Sequence, residues 1–347
     1  MYRPNEGCFA FRIRRDRDGQ DVLEGVSHRY TAIVLIGLAH EDPESSERIL
    51  GGGSPLDVCA HLVSKTEQMA NLGDVALTLW AARALGANGT GVALDRLKAL
   101  RPHDGDHPTV EVAWALTALS LGTESDVTGS DTARQTADRL MASFVPGSGL
   151  FRHWPAGARG SRLRGHVACF ADLVYPIQAL AHYYARTGDA RAVTAATGCA
   201  ERMCALQGEA GQWWWHFDVR TGRVVERYPV YAVHQDAMAP MALFDLQAAC
   251  GVDHASAVQR GLDWLRHAAE IGGSLVDLSA DLVWRKVARH EPGKLSRTLQ
   301  ASASRLHSGL RVPALEGLLR PGRIDYECRP YHLGWLLYAW ADGVRRT

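Results

Sequence analysis

What this sequence has little of narrows it first. Its seven cysteines are scattered, odd in number and never spaced as C-x-x-C, which argues against a disulfide framework or a zinc ribbon and fits a reducing cytoplasm. Net charge is lacking: 38 basic residues balance 38 acidic ones, so nothing global attracts nucleic acid or an anionic membrane, and any such partner needs a local patch. Long apolar runs are lacking too. The longest early one, residues 32–39, is far shorter than a bilayer span, and the polar N-terminus does not read as an export signal. We therefore expect no transmembrane segment and no export. Charged residues make up only 22% against 46% hydrophobic ones, which excludes a disordered chain and supplies one large core.

What is present is helical. Apolar residues recur at helical spacing in segments broken by Gly, Pro and Asp. Six segments, starting near Arg29, Asp74, Pro108, Ala171, Asp236 and Tyr331, are rich in Ala, Leu and aromatics; helices apolar nearly all round are buried on both sides. Between them lie more amphipathic stretches near 55–70, 91–100, 131–144, 190–206, 254–269 and 281–308. The alternation of inner and outer helices predicts an all-α fold, an (α/α)6 toroid of six helical hairpins forming one domain over 1–347. Residues 1–28 read as an N-terminal extension and 271–330 as a basic, flap-like insertion. An internal repeat agrees: Asp172-x-x-x-Pro176-Ile-Gln-Ala-Leu180 is echoed by Asp236-x-x-x-Pro240-Met-Ala-Leu243. One departure from helix is expected. Residues 212–218 and 224–231 read as two short strands around a glycine turn, a β-hairpin over the cavity mouth holding most of the strand in a chain with under about 10% of it.

In a toroid of this kind the inner helices start at one face. Asp74, Glu111, His166, Asp172, His234, Asp236, Arg329 and His332 then converge on the mouth, where helix N-termini favour an anionic group. Asp172 and Asp236 also stand where helix caps stand. His234 and Asp236 flank Gln235, a pair able to move and orient a proton, and Asp172 and His216 complete the candidate catalytic set. Strand alternation puts His216 on the face of Trp214 and Asp218, opposite Trp213, Trp215 and Phe217. Trp214, Trp215, Tyr231, His166, Glu111, Arg329, Tyr331 and His332 are candidate substrate-binding residues, since flat aromatic faces hold sugar rings and also stabilise cations. No metal or other cofactor is expected; Cys328 and His332 are four apart, but Pro330 intervenes and no second pair matches. From Arg285 to Arg323 nine Lys or Arg face only Glu291 and Glu316. With its leucines, this segment suits contact with an anionic polymer, a lipid-linked substrate or a membrane surface.

Two resemblances follow from these residues. Gln207-x-x-x-Gly211-x-Trp213 is similar to the Q-x-x-x-G-x-W repeat of squalene-hopene cyclases and related terpenoid toroids. Those families' D-x-D-D and D-D-x-x-D motifs are missing, because the chain has no Asp-Asp pair. The order of a tryptophan and an aspartate, a glycine turn, Tyr231-x-x-His234-x-Asp236 and an Ala/Leu-rich helix, over roughly 167–270, resembles N-acylglucosamine 2-epimerases and unsaturated-uronyl hydrolases. That likeness implies a six-hairpin toroid with a sugar site. The function expected first is therefore acid–base chemistry on a sugar or uronic-acid-containing saccharide, as epimerase, lyase or hydrolase. A terpenoid-type cyclase and a non-catalytic toroidal binding protein are the alternatives, and the sequence does not specify an oligomeric state.

Overall fold

The computed structural model describes residues 1–122, 131–158, 164–290 and 319–341. Its helices, in chain order, are α1 (His28–Leu38), α2 (Pro43–Ile49), α3 (Pro55–Ser64), α4 (Leu72–Ala84), α5 (Thr90–Ala99), α6 (Thr109–Ser120), α7 (Asp131–Ala142), α8 (Ala171–Thr187), α9 (Ala190–Ala205), α10 (Ala239–Cys250), α11 (Ala255–Arg266) and α12 (Pro330–Trp340). Six of them form the inner ring: α1 packs on α4, α4 on α6, α6 on α8, α8 on α10, α10 on α12, and α12 returns to α1. The layer of each helix is written in its burial. Inner α6 buries eleven of its twelve residues, whereas outer α11 buries five of twelve, on one stripe. The expected helix starts agree with the observed ones. Ser27 and Asn71 cap α1 and α4 by accepting from Tyr30 N and Asp74 N, and left-handed Gly188 and Gly251 end α8 and α10.

The sixth outer helix, expected over 281–308, is not helical where it is described. Residues 282–289 hold strands β12 (Leu282–Val283) and β13 (Lys286–Arg289). In β13 the buried residues are Val287 and Arg289, a period of two rather than 3.6. Residues 291–318, the middle of the expected basic flap with Lys294, Arg297, Arg305 and Arg311, lie outside the described residues.

Strand is spread more widely than one hairpin. The described residues form six sheets of two or three strands. Expected residues 212–231 contribute β8 (His216–Asp218) and β9 (Arg223–Glu226), which join β7 (Val167–Cys169) in one sheet, and β10 (Val230–Tyr231), which joins β13 and β14 (Pro321–Asp325) in another. The N-terminal stretch is tied in as well: β3 (Arg12–Arg15) lies between β4 (Asp21–Glu24) and β15 (Glu327–Cys328). Before α10 the backbone makes a wide π-helical turn, His234–Met238. Pro240 has no N–H to offer the Asp236 carbonyl, and Trp340 Nε1 donates to that carbonyl instead, at 2.6 Å.

Candidate active site

At the face where the inner helices begin, two cavities meet at Trp215. The first, of about 270 Å³, is lined by Arg29, Tyr30, Trp114, Tyr175, Trp215, Tyr231, His234, Arg285 and Tyr331 with a few aliphatic residues. The second, of about 300 Å³, is lined by His153, Trp154, Arg164, Val167, Cys169, Trp215 and His216.

In the first cavity the charges are positive. Arg29 is held by carboxylates and an amide from two neighbouring inner helices: its Nε donates to Asp74 Oδ1 at 2.7 Å and its Nη2 to Asn71 Oδ1 at 2.7 Å. Asn71 in turn donates to Glu111 Oε1 at 2.9 Å. Asp74 and Glu111 are thus brought together, as the arginine's support. Arg285 reaches the cavity from beside β13, 3.2 Å from the buried Glu327, with its guanidinium 5.3 Å from the Tyr231 ring centre. Arg329 does not line either cavity; it donates to Glu327 and, at 2.9 Å, to the Tyr30 hydroxyl.

His234 lies on the wall, stacked 4.2 Å from the Phe170 ring. Burial drives its pKa down to about 3, a hydrogen bond with the Trp213 backbone opposes the shift, and nearby His332 adds to it. The imidazole is therefore neutral at pH 7, and its Nδ1 has no hydrogen-bond partner among the described residues. Asp236 and His332 form a buried pair of their own, Nε2 to Oδ1 at 2.7 Å, away from either cavity wall. Burial raises the phenols of Tyr175 and Tyr331, which stay protonated as donors.

The second cavity holds a residue that the sequence reading passed over. His153, in the loop after β6 (Leu150–Phe151), meets the fully buried Asp172 with its Nδ1 at 2.9 Å from Oδ2. Asp172 also accepts from Cys169 N at 2.7 Å; its partners lie behind it in the chain, not one turn into α8, so it does not cap that helix. Burial alone would lower His153, but the hydrogen bond and charge of Asp172 reverse this and raise its pKa above the ordinary histidine value of 6.5. His153, Cys169 and Asp172 bring one ligand atom each within 4.8 Å of one another, so these are the residues that could share a cation.

His216 lines this second cavity and stacks on Trp215, ring centres 4.2 Å apart. The expectation that they lie on opposite faces fails because alternation needs a strand, and β8 starts only at His216, with a register shift straight after it. Trp214 packs edge-on against Tyr228, and His166 is buried near Asp218; neither reaches a cavity wall. Arg29 and Tyr30 could have been found from sequence, since the argument that gathers Asp74 and Glu111 applies equally to the first turn of α1. His153 carries no such signal.

No family model and no curated protein matches the sequence. Solved structures do match. One described as an unsaturated glucuronyl hydrolase specific for heparin superposes with a TM-score of 0.61 at 14% identity, covering 98% of this chain and 91% of that one. A possible member of GH105 family from Salmonella enterica gives 0.59 at 8% identity over 96% and 88% of the two chains. Cellobiose 2-epimerase from Bacillus thermoamylovorans gives 0.57 at 12% identity over 98% and 94%. Likeness at these identities speaks to fold, and the fold is the α/α toroid of helical hairpins that all three share.

Proposed function

We propose that this protein is an enzyme that moves a proton on a saccharide bearing an anionic group, with His153 and His234 as its acid and base. The observation that carries the reading is that two imidazoles on adjoining cavities have their pKa values pushed in opposite directions, one raised by Asp172 and the other depressed by burial. Groups whose environments push their pKa values apart are suited to complementary acid and base roles. Asp172 anchors His153 through Nδ1, which leaves Nε2 for substrate. His234 is a weak base in the empty cavity; an anionic substrate beside it raises its pKa, so its basicity arrives with the substrate. Arg29 and Arg285 supply the partners for a carboxylate, and the aromatic walls suit a sugar ring.

The toroids that this chain resembles include a glucuronyl hydrolase and a sugar epimerase, which supports a sugar as substrate. Between these reactions, proton transfer at carbon fits better. Hydrolysis with two carboxylates flanking the bond needs both on the wall, whereas Asp172 sits behind His153 and Asp236 is paired with His332. A prenyl cyclase draws no support, because the lumen below the first cavity is filled by Trp80, Tyr175, Trp335 and Tyr338.

The test is exchange. The full chain, incubated in deuterated water with uronate-bearing and neutral reducing saccharides, is expected to place deuterium on the carbon next to the carbonyl, preferentially in the uronates. His153→Ala and His234→Ala should each lose this by about a hundredfold or more. Release of new reducing ends without exchange would replace the proposal with hydrolysis, and binding with neither would replace it with a non-catalytic role.

A further inference from the structure

The toroid has a second mouth. Where the inner helices end, a cavity of about 390 Å³, larger than either cavity at the first mouth, is lined by His40, Trp80, Arg83, His182, Asp245 and Tyr338 with alanines and a leucine around them. The aromatic plug separates it from the candidate active site. Tyr175 on the first cavity touches Trp335, with ring centres 5.9 Å apart, and Trp335 touches Trp80 and Tyr338 on the second at 5.3 and 6.1 Å.

This cavity differs from the first in having a carboxylate, Asp245, on its wall. Asp245 receives three contacts, from Gln178 Nε2 at 2.8 Å, the Tyr338 hydroxyl at 2.9 Å and His182 Nε2 at 3.3 Å, and all three converge on Oδ2. All of these bonds go to one oxygen, so among the described residues Oδ1 of this wall residue accepts none. Burial alone would raise the Asp245 pKa, yet His182, Gln178 and Tyr338 together hold it below the ordinary carboxylate value, so it carries charge at neutral pH. The helix ends add to the same sign, since the C-terminal carbonyls of the inner ring face this mouth. Arg83 and Arg186 answer the carbonyls at the end of α6, donating to those of Ala118, Leu119 and Gly122, but none of these bonds reaches Asp245.

We propose that this cavity is a second binding site, taking a small primary ammonium compound whose N–H groups reach Asp245 Oδ1 and whose carbon frame packs against Trp80 and Tyr338. An anion would meet a carboxylate and helix C-termini, and a neutral alcohol would supply a donor without charge. An ammonium group supplies donors and charge together. It could come from a free amine or from an amino sugar.

Titration calorimetry on the full chain separates these cases with putrescine, D-glucosamine, D-glucose and butyrate as probes. At least one of the two amines is expected to saturate while glucose and butyrate do not; putrescine alone indicates a free amine, and glucosamine alone an amino sugar. Asp245→Asn should weaken the bound amine by tenfold or more. Because that residue is half-buried and the variant could fold poorly, Ala248→Trp, at an exposed position on the rim, provides a second test by blocking the entrance, and it too should weaken binding by tenfold or more. Failure of both amines to saturate overturns the proposal. So does binding that survives in a folded Asp245→Asn or in Ala248→Trp, or binding that is lost equally in His234→Ala, which would put the amine at the other mouth.

Discussion

At the scale of single residues, the contrast between His153 and His234 makes two expectations. His153 must be protonated to act as acid, so activity falls as pH rises through its raised pKa. Asp172→Asn removes the partner that raises it, and the alkaline limb of the kcat/KM profile should move to lower pH in that variant. An unmoved limb with reduced activity would make Asp172 a structural residue only. For His234 the sign runs the other way. The folded chain holds this imidazole neutral down to about pH 3, while the unfolded chain takes up the proton near 6.5. The stabilisation is present above pH 6.5 and is lost as pH falls from there toward 3. The thermal midpoint of the wild type should therefore drop more steeply between pH 7 and pH 5 than that of His234→Gln. These residues were unequally legible in the sequence. His234 announced itself by its place at a hairpin-to-helix junction, but His153 stands in a loop with Asp172 nineteen residues away, a pairing made by the packing of β6 and α8 and by no local pattern. Asp236 showed the converse, a conspicuous position whose side chain is consumed by His332 from the last inner helix.

At the scale of elements, the Q-x-x-x-G-x-W segment is a clamp between two outer helices. Gln207 Nε2, just past α9, donates to Gly211 O and to Ala257 O in α11, both at 2.9 Å. Gly211 has φ +98°, and a Cβ there would fall 2.0 Å from Arg260 O, so both backbone conformation and space demand glycine. Gly211→Ala should cost about 3 kcal/mol or more, and Gln207→Ala about 2 kcal/mol, in urea unfolding; a loss below about 0.5 kcal/mol for Gly211→Ala would show that the clamp is dispensable. Helices were the legible elements because each is long enough for its apolar period to declare itself. The short strands were not. Two to five residues hold at most two alternations, and their partners, such as Val287 for Val230 or Arg14 for Glu327, lie far away in the sequence. The stretch 282–289, expected as part of an outer helix, is strand because tertiary pairing decides it.

At the scale of the whole molecule, the double ring was readable because inner and outer helices differ in how much of their circumference is apolar, a property of composition alone. Which helices meet across the seam was not readable from composition. There α1 and α12 approach so closely that a Cβ on Gly37 would lie 2.4 Å from Gly334 O, and one on Gly334 would lie 2.8 Å from Ile33 O and from Val34 Cα. Neighbouring backbone cannot move aside as a side chain can. Gly334→Ala should therefore cost about 3 kcal/mol, measured as a shift in the urea midpoint at unchanged slope, and a shift within error would mean that the seam is slack. Between α4 and α6 the neighbour is a side chain instead: a Cβ on Gly73 would lie 2.9 Å from the Trp114 ring.

The seam also sets an order of events. Five inner helices can find their neighbours as they emerge in sequence, α1 with α4, α4 with α6 and onward, but α1 gains its second partner only when α12 has been made. Until then α1 lacks the helix that covers its second side, and the lumen aromatics Trp80 and Tyr175 lack the contact that Trp335 makes with them. The contact that closes the circle spans nearly the whole described chain, so it carries the greatest loop-closure entropy and forms last. An arc still open at this seam would present an apolar inner face to water, and closing it requires the close backbone approach that Gly37 and Gly334 permit.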